Sequence, residues 1–197
     1  MNGTKNKRNG GSFLLAFIGA SSLLCTGAGN SSGQTTHKPV PVSFDLAAPK
    51  LSGGSAEWLN TDGKKLEFAK GTVYVVEFWT FGCINCQRNL PAYARWQKRF
   101  EKQNVTLIGV HTPETEEEKK SENVIKRVKE LGITYPVLLD QKGDNWKRWE
   151  QQVWPTVYLI DKKGHARYRW VGELDWKHAG GEETMAKRIE MLLKEKP

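Results

Sequence analysis

Two cysteines three positions apart, Cys83 and Cys86, end the stretch EFWTFGCINC, and Glu77 stands six residues before the first of them among apolar side chains. Thiols at this spacing have three chemistries open to them. A structural disulfide closing so short a loop would remove little entropy from the unfolded chain and would be a weak staple. A structural zinc site needs four ligands. There is no second cysteine pair, and His111, His165 and His178 have no ligand spacing. A copper-binding chaperone using the pair with His111 or His178 stays open as an alternative. The third chemistry is thiol–disulfide exchange. It requires one thiol whose anion is stabilised and a second placed to attack the mixed disulfide formed by the first.

The elements around the pair favour that third chemistry. Val73 to Phe78 is a β-branched and aromatic run that reads as a central strand, and Leu90, Tyr93, Trp96 and Phe100 recur afterwards at helical spacing. The cysteines therefore fall where a strand passes into a helix, where free backbone N–H groups and the helix dipole stabilise a thiolate on Cys83. Val105 to Val110 reads as a second buried strand. A helix follows, with Thr115 and Glu118 spaced as a capping box and Val124, Ile125, Val128 and Leu131 as its inner stripe.

Val137 to Leu139, a short helix bearing Trp146 and Trp149, and Thr156 to Ile160 come next. A turn at Asp161 to Gly164, a strand from Ala166 to Val171, and a last helix with Met185, Ile189, Leu192 and Leu193 on one face complete the order. Strand–helix–strand alternation implies parallel pairs, and the closing hairpin implies an antiparallel edge. The expected fold is α/β, a central mixed β-sheet flanked by helices.

A chain of 197 residues suits one domain with a sizeable core plus extensions. Residues 1–28 have the pattern of an address. Lys5, Lys7 and Arg8 precede an apolar run from Phe13 to Cys25 and the small residues Thr26, Gly27 and Ala28, as in a signal peptide or an N-terminal membrane anchor. The surroundings of Cys25 match a lipid-attachment site poorly. Residues 29–43, rich in Gly, Ser, Thr and Pro, read as a flexible linker, and 44–197 as the folded domain. Losing residues 1–28 removes three of the 30 basic residues, leaving 27 against 22 acidic ones, a net charge of +5, and leaves Cys83 and Cys86 as the last two cysteines. Basic and acidic residues are interspersed, which argues against a nucleic-acid surface.

The set WTFGCINCQRNLP, HTPE and WPTVYLID resembles the thioredoxin superfamily. Within it the likeness is to the exported TlpA/ResA-like thiol–disulfide oxidoreductases, closest to DipZ-like thioredoxin domains, over residues 50 to 195. The resemblance implies a thioredoxin-like fold, with Cys83 as attacking and Cys86 as resolving cysteine. It also implies that Pro91 kinks the active-site helix and that Pro155 is the cis-proline beside the disulfide, whose preceding backbone holds an extended substrate. Glu77 falls at the family's buried acid beneath the disulfide. In an apolar site its pKa rises, which suits it to take a proton from Cys86.

Gly82 stands where a tryptophan is common, and Trp79, Phe81 or Trp154 would have to supply the aromatic wall. Ile84 and Asn85 replace the familiar Gly-Pro pair. The family needs no small-molecule cofactor and no metal. Its expected partners are exported proteins with disulfides, apocytochrome c among them, and a membrane electron donor of the DsbD/CcdA type. The location implied is extracytoplasmic, periplasmic or anchored to the membrane. A second enzymatic reading is a peroxiredoxin-like peroxidase, since Thr80 precedes Cys83 by three residues, although Val76 stands where that pattern has proline.

Overall fold

The computed structural model describes residues 42–197. The expected address segment 1–28, and the linker up to residue 41, lie outside them. The described chain forms one seven-stranded mixed sheet with four α-helices. The strands are β1 (Val42–Ala47), β2 (Trp58–Leu59), β3 (Val73–Trp79), β4 (Val105–His111), β5 (Val137–Leu139), β6 (Thr156–Ile160) and β7 (His165–Val171). The helices are α1 (Ile84–Arg99), α2 (Ser121–Glu130), α3 (Asp144–Arg148) and α4 (Gly181–Lys194).

The spatial order is β1-β7-β6-β3-β4-β5-β2. The β3, β4 and β5 strands run parallel through the crossovers α1 and α2, and β6 turns antiparallel against β3. All seven residues of β3 are buried, as expected of a strand covered on both faces. Side chains alternate along it. Val73, Val75 and Trp79 join the core under α1, α2 and α4, with Tyr93, Trp96, Val124, Val128 and Met185. Tyr74, Val76 and Phe78 face the other way, against Leu51, Trp149 and Tyr158. The same period puts Glu77 on the α1 face.

Several expectations change. The hairpin of β6 and β7 is not the sheet edge, because β1 pairs outside β7. Val42 and Ser43, read as the end of the linker, are already part of β1. That strand is mostly exposed and carries one inward side chain, Phe44, packed edge-on to Tyr158, so its burial contributes almost no pattern. Thr115 and Glu118 do not cap α2, whose first turn follows Lys120. Ile125 is exposed rather than part of the inner stripe, which is Val124 and Val128. No described helix is long and apolar enough to cross a membrane.

Candidate active site

Cys83 is the N-cap of α1. Its backbone is extended, and its sulfur accepts a hydrogen bond from the Cys86 N–H at 3.3 Å. The helix thus begins on the sulfur, so unsatisfied N–H groups and the positive end of the dipole converge on it. Cys83 is half-buried and Cys86 fully buried, both as free thiols. Burial pushes the Cys86 thiol far above its usual range, with further upward pushes from the hydrogen bond to Cys83 and from the Cys83 and Glu77 charges, against a backbone bond from Thr80. One sulfur is reachable, and the other is held protonated behind it.

Glu77 lies beneath the pair, 2% exposed. Burial raises its carboxyl to about 8, against the Tyr135 hydrogen bond and the nearby Tyr93 hydroxyl, which lower it. The Tyr135 hydroxyl donates to Oε1, and Oε2 has no hydrogen-bond partner. The residue beside Glu77 on the next strand is Gly109. A Cβ there would lie 2.9 Å from Trp79 Nε1 and 3.3 Å from the Tyr135 ring. Only glycine leaves room for Tyr135 to reach the acid. The alternative of a solvent-facing strand glutamate is therefore excluded by its burial.

Pro155 is preceded by a cis peptide bond from Trp154. Its carbonyl accepts from Gly172 N–H at 2.8 Å, and the Gly172 carbonyl accepts from the Asn89 amide of α1, which fastens the proline loop to the active-site helix. Trp154 is half-buried and stacks on Trp146 with centroids 4.1 Å apart. Asp140 fixes that partner by accepting from the backbone N–H groups of Asn145 and Trp146 and from the Thr112 hydroxyl. Phe81 stacks on His111 at 5.5 Å. Trp79, one of the three candidates for an aromatic wall, is fully buried and faces the core.

Two side chains to which the dithiol-exchange reading gave no role, His111 and Glu118, hold the turn before Cys83. His111 Nε2 accepts from Phe81 N–H at 3.3 Å, and burial lowers this imidazole to about 4, so it stays neutral. Glu118 Oε1 accepts from Gly82 N–H at 2.8 Å, and its Oε2 accepts from the N–H groups of Glu114 and Thr115. Burial raises the Glu118 carboxyl, but the Thr80 hydroxyl and these three N–H groups outweigh it and hold the group below the ordinary carboxylate range. The visible signal for Glu118 was its spacing from Thr115, which pointed to a helix cap. His111 gave no local signal, because its importance comes from the parallel pairing of β3 with β4.

The same contacts weigh against the two alternatives. The Thr80 hydroxyl lies 3.4 Å from His111 Nε2 and helps to lower the Glu118 carboxyl, and among the described residues it makes no hydrogen bond to Cys83, the partner a peroxidatic threonine would serve. His111 Nε2 is engaged with the Phe81 backbone, which takes this imidazole away from the cysteine pair as a copper ligand.

On this sheet, Cys83 as the cap of α1, Cys86 one turn inside it and the cis-proline before β6 make up a thioredoxin-like domain with a free dithiol at the strand–helix junction. The chain belongs to the AhpC/TSA family, whose pattern matches residues 46–169. It is 41% identical over 132 residues to DipZ of Mycobacterium tuberculosis, an alignment that takes in 66% of this chain and 19% of DipZ. The chain thus spans about a fifth of that relative's length. Thiol-disulfide oxidoreductase YkuV of Bacillus subtilis is 24% identical over 147 residues, covering 75% of this chain and 94% of YkuV. Among solved structures, a thiol-disulfide isomerase from Corynebacterium glutamicum superposes with a TM-score of 0.61 at 26% identity, covering 76% of this chain and 98% of that one.

Proposed function

We propose that the domain reduces disulfides of exported proteins, with Cys83 as nucleophile, Cys86 as resolving thiol and Glu77 as the group that handles the resolving proton. The Cys83 thiolate attacks one sulfur of the substrate disulfide, forming a Cys83–substrate bond and releasing the other substrate sulfur as a thiolate. Cys86 then gives up its proton and attacks Cys83, which releases the second substrate thiol. Two electrons pass to the substrate, and Cys83 and Cys86 are left joined.

The observation that carries this reading is the position of Glu77. Cys86 is buried and its thiol strongly favoured, so its attack needs a nearby base, and Glu77, whose charge reaches Cys86, has a buried oxygen, Oε2, with no partner among the described residues. A carboxyl near 8 is a base in its ionised fraction and an acid in its neutral fraction, which serves both directions of exchange.

Substrate contact is assigned to Phe81, Trp154 and Pro155. Among the described residues the Trp154 backbone makes no hydrogen bond, which leaves its N–H and C=O for an extended substrate segment. Exposed Ile84, Val153 and Val171 give that segment an apolar surround. Export is supported by the basic-then-apolar order of residues 5 to 28. A reductant outside the cytosol draws its electrons from a membrane donor, for which the DsbD/CcdA type is the candidate.

An equilibrium titration against glutathione, joined to trapping with Cys86→Ala, tests the function. A mixed disulfide between Cys83 and disulfide-bearing proteins should accumulate in that variant. If neither cysteine exchanges with glutathione or a protein disulfide, the reading is wrong.

A further inference from the structure

We propose that Glu118 is a positioning residue for the dithiol: its carboxylate fixes the Gly82 turn that presents Cys83, and its charge behind the nucleophile biases the pair toward giving electrons. The inference rests on the oxidoreductase reading and goes beyond it, because it assigns a source for the direction of exchange outside the two cysteines and the residues between them.

Three observations support it. First, Glu118 is 2% exposed, yet it forms no salt bridge among the described residues. The adjacent Lys119 and Lys120 pair instead with Glu116 and Glu117. Its partners are N–H and O–H dipoles, namely Gly82, Glu114 and Thr115 N–H and the Thr80 hydroxyl. The charge is stabilised by dipoles, with no counter-ion bonded to it among the described residues.

Second, a Cβ on Gly82 would sit 2.6 Å from Glu118 Oε1, closer than any real contact. Gly82 and Glu118 are therefore a matched pair. Any side chain at position 82 would push the Glu118 carboxylate away from the Gly82 N–H, so the glycine is what lets this bond form.

Third, the chemistry has a sign. A helix start favours an anion at its N-cap, and a carboxylate hydrogen-bonded to the residue before the cap works against that preference. A thiolate stabilised in the reduced form makes a stronger oxidant. An opposing anion makes a stronger reductant.

The test compares the parent chain with Glu118→Gln, which removes the charge at nearly constant size and keeps an acceptor toward only one side of the turn. The first measurement is the pH dependence of iodoacetamide alkylation of Cys83, in a Cys86→Ala background. The second is the dithiol–disulfide equilibrium against glutathione in the chain with both cysteines. The alkylation midpoint is expected to fall by about one pH unit, a tenfold change. The equilibrium should move about tenfold toward the dithiol, or about 30 mV for two electrons.

Gly82→Ala serves as the second variant. It displaces the carboxylate by contact while leaving Glu118 in the chain, and it should shift both measurements the same way by a smaller factor. Superimposable profiles for the folded variants, or shifts in the opposite direction, overturn the proposal. Failure of the parent chain to exchange with glutathione is a different outcome. It sinks the oxidoreductase reading, while the alkylation profile still decides on Glu118.

Discussion

The Tyr135 hydroxyl donates to one oxygen of Glu77 and leaves the other oxygen without a partner. The tyrosine comes from the segment between α2 and β5 and reaches across Gly109 to an acid two strands away in the sheet order. It orients the carboxyl and lowers the cost of ionising it, so the acid is tuned from outside its own strand.

The first prediction concerns rate. The resolving step should speed up as pH rises through about 8, where Glu77 ionises. Glu77→Gln should lose that rise and slow resolution near neutral pH by about 10²-fold, the low end for general base catalysis. Tyr135→Phe removes a bond that lowers the Glu77 value, so the rise should move to higher pH. Stopped-flow decay of a pre-formed mixed disulfide measures both. An unchanged profile in Glu77→Gln rejects the proton role.

A second prediction follows from linkage. The Glu77 carboxyl titrates near 4.5 when unfolded and about 8 when folded, so between those values only the folded chain binds the proton. Its contribution is fully present below pH 4.5 and is lost as pH rises through 8, by on the order of 4–5 kcal/mol. Urea unfolding at pH 5 and pH 9 should show the parent losing more stability than Glu77→Gln. Equal losses would mean the acid is not desolvated as its burial indicates.

Asn89 gives a third, purely structural case. Its side chain accepts from Leu174 N–H at 2.9 Å and donates to the Gly172 carbonyl, and it is 2% exposed. Asn89→Ala leaves a buried N–H unmatched and should cost about 2–3 kcal/mol in denaturant unfolding. The neighbouring pair Arg88–Glu173 has its arginine largely in water. Arg88→Ala should therefore cost under about 1 kcal/mol.

Trp154 bears on recognition. Trp154→Ala removes the ring stacked on Trp146 and should raise KM for protein disulfides by about 5–30-fold, the loss of ~1–2 kcal/mol of contact. Turnover of a small aromatic disulfide should change less than twofold, roughly the noise of such contacts. Equal losses on both substrates would place Trp154 in the chemistry instead.

Much of this site was legible in the sequence because its signals are local. The β3 run, the cysteines at the strand–helix junction and the glutamate between apolar neighbours each lie within a few residues of one another. Pairing across the sheet is not local. Tyr135, His111 and Glu118 reach the site only through the parallel register of β3, β4 and β5, and nothing in their own neighbourhoods reports it. The spacing of Thr115 and Glu118 did point to a reciprocal turn, and the turn exists, but the carboxylate uses its second oxygen on Gly82, 36 residues earlier in the chain. Trp79, one of three candidates for the aromatic wall, belongs to the core instead, because aromatic type does not distinguish a core strand end from a rim.

Strand β1 has a consequence for how the sulfur meets other molecules. Val42 pairs opposite Arg169, and β7 runs on to Val171, opposite Thr156 and next to the cis-proline. The polypeptide thus enters the sheet at the end where the cysteines lie, three strands from β3, about 14 Å at ordinary strand spacing. A reporter group on Val42 therefore samples the rim where protein substrates meet the sulfur, whereas one on Ala47, opposite His165, stands at the far end of the strand.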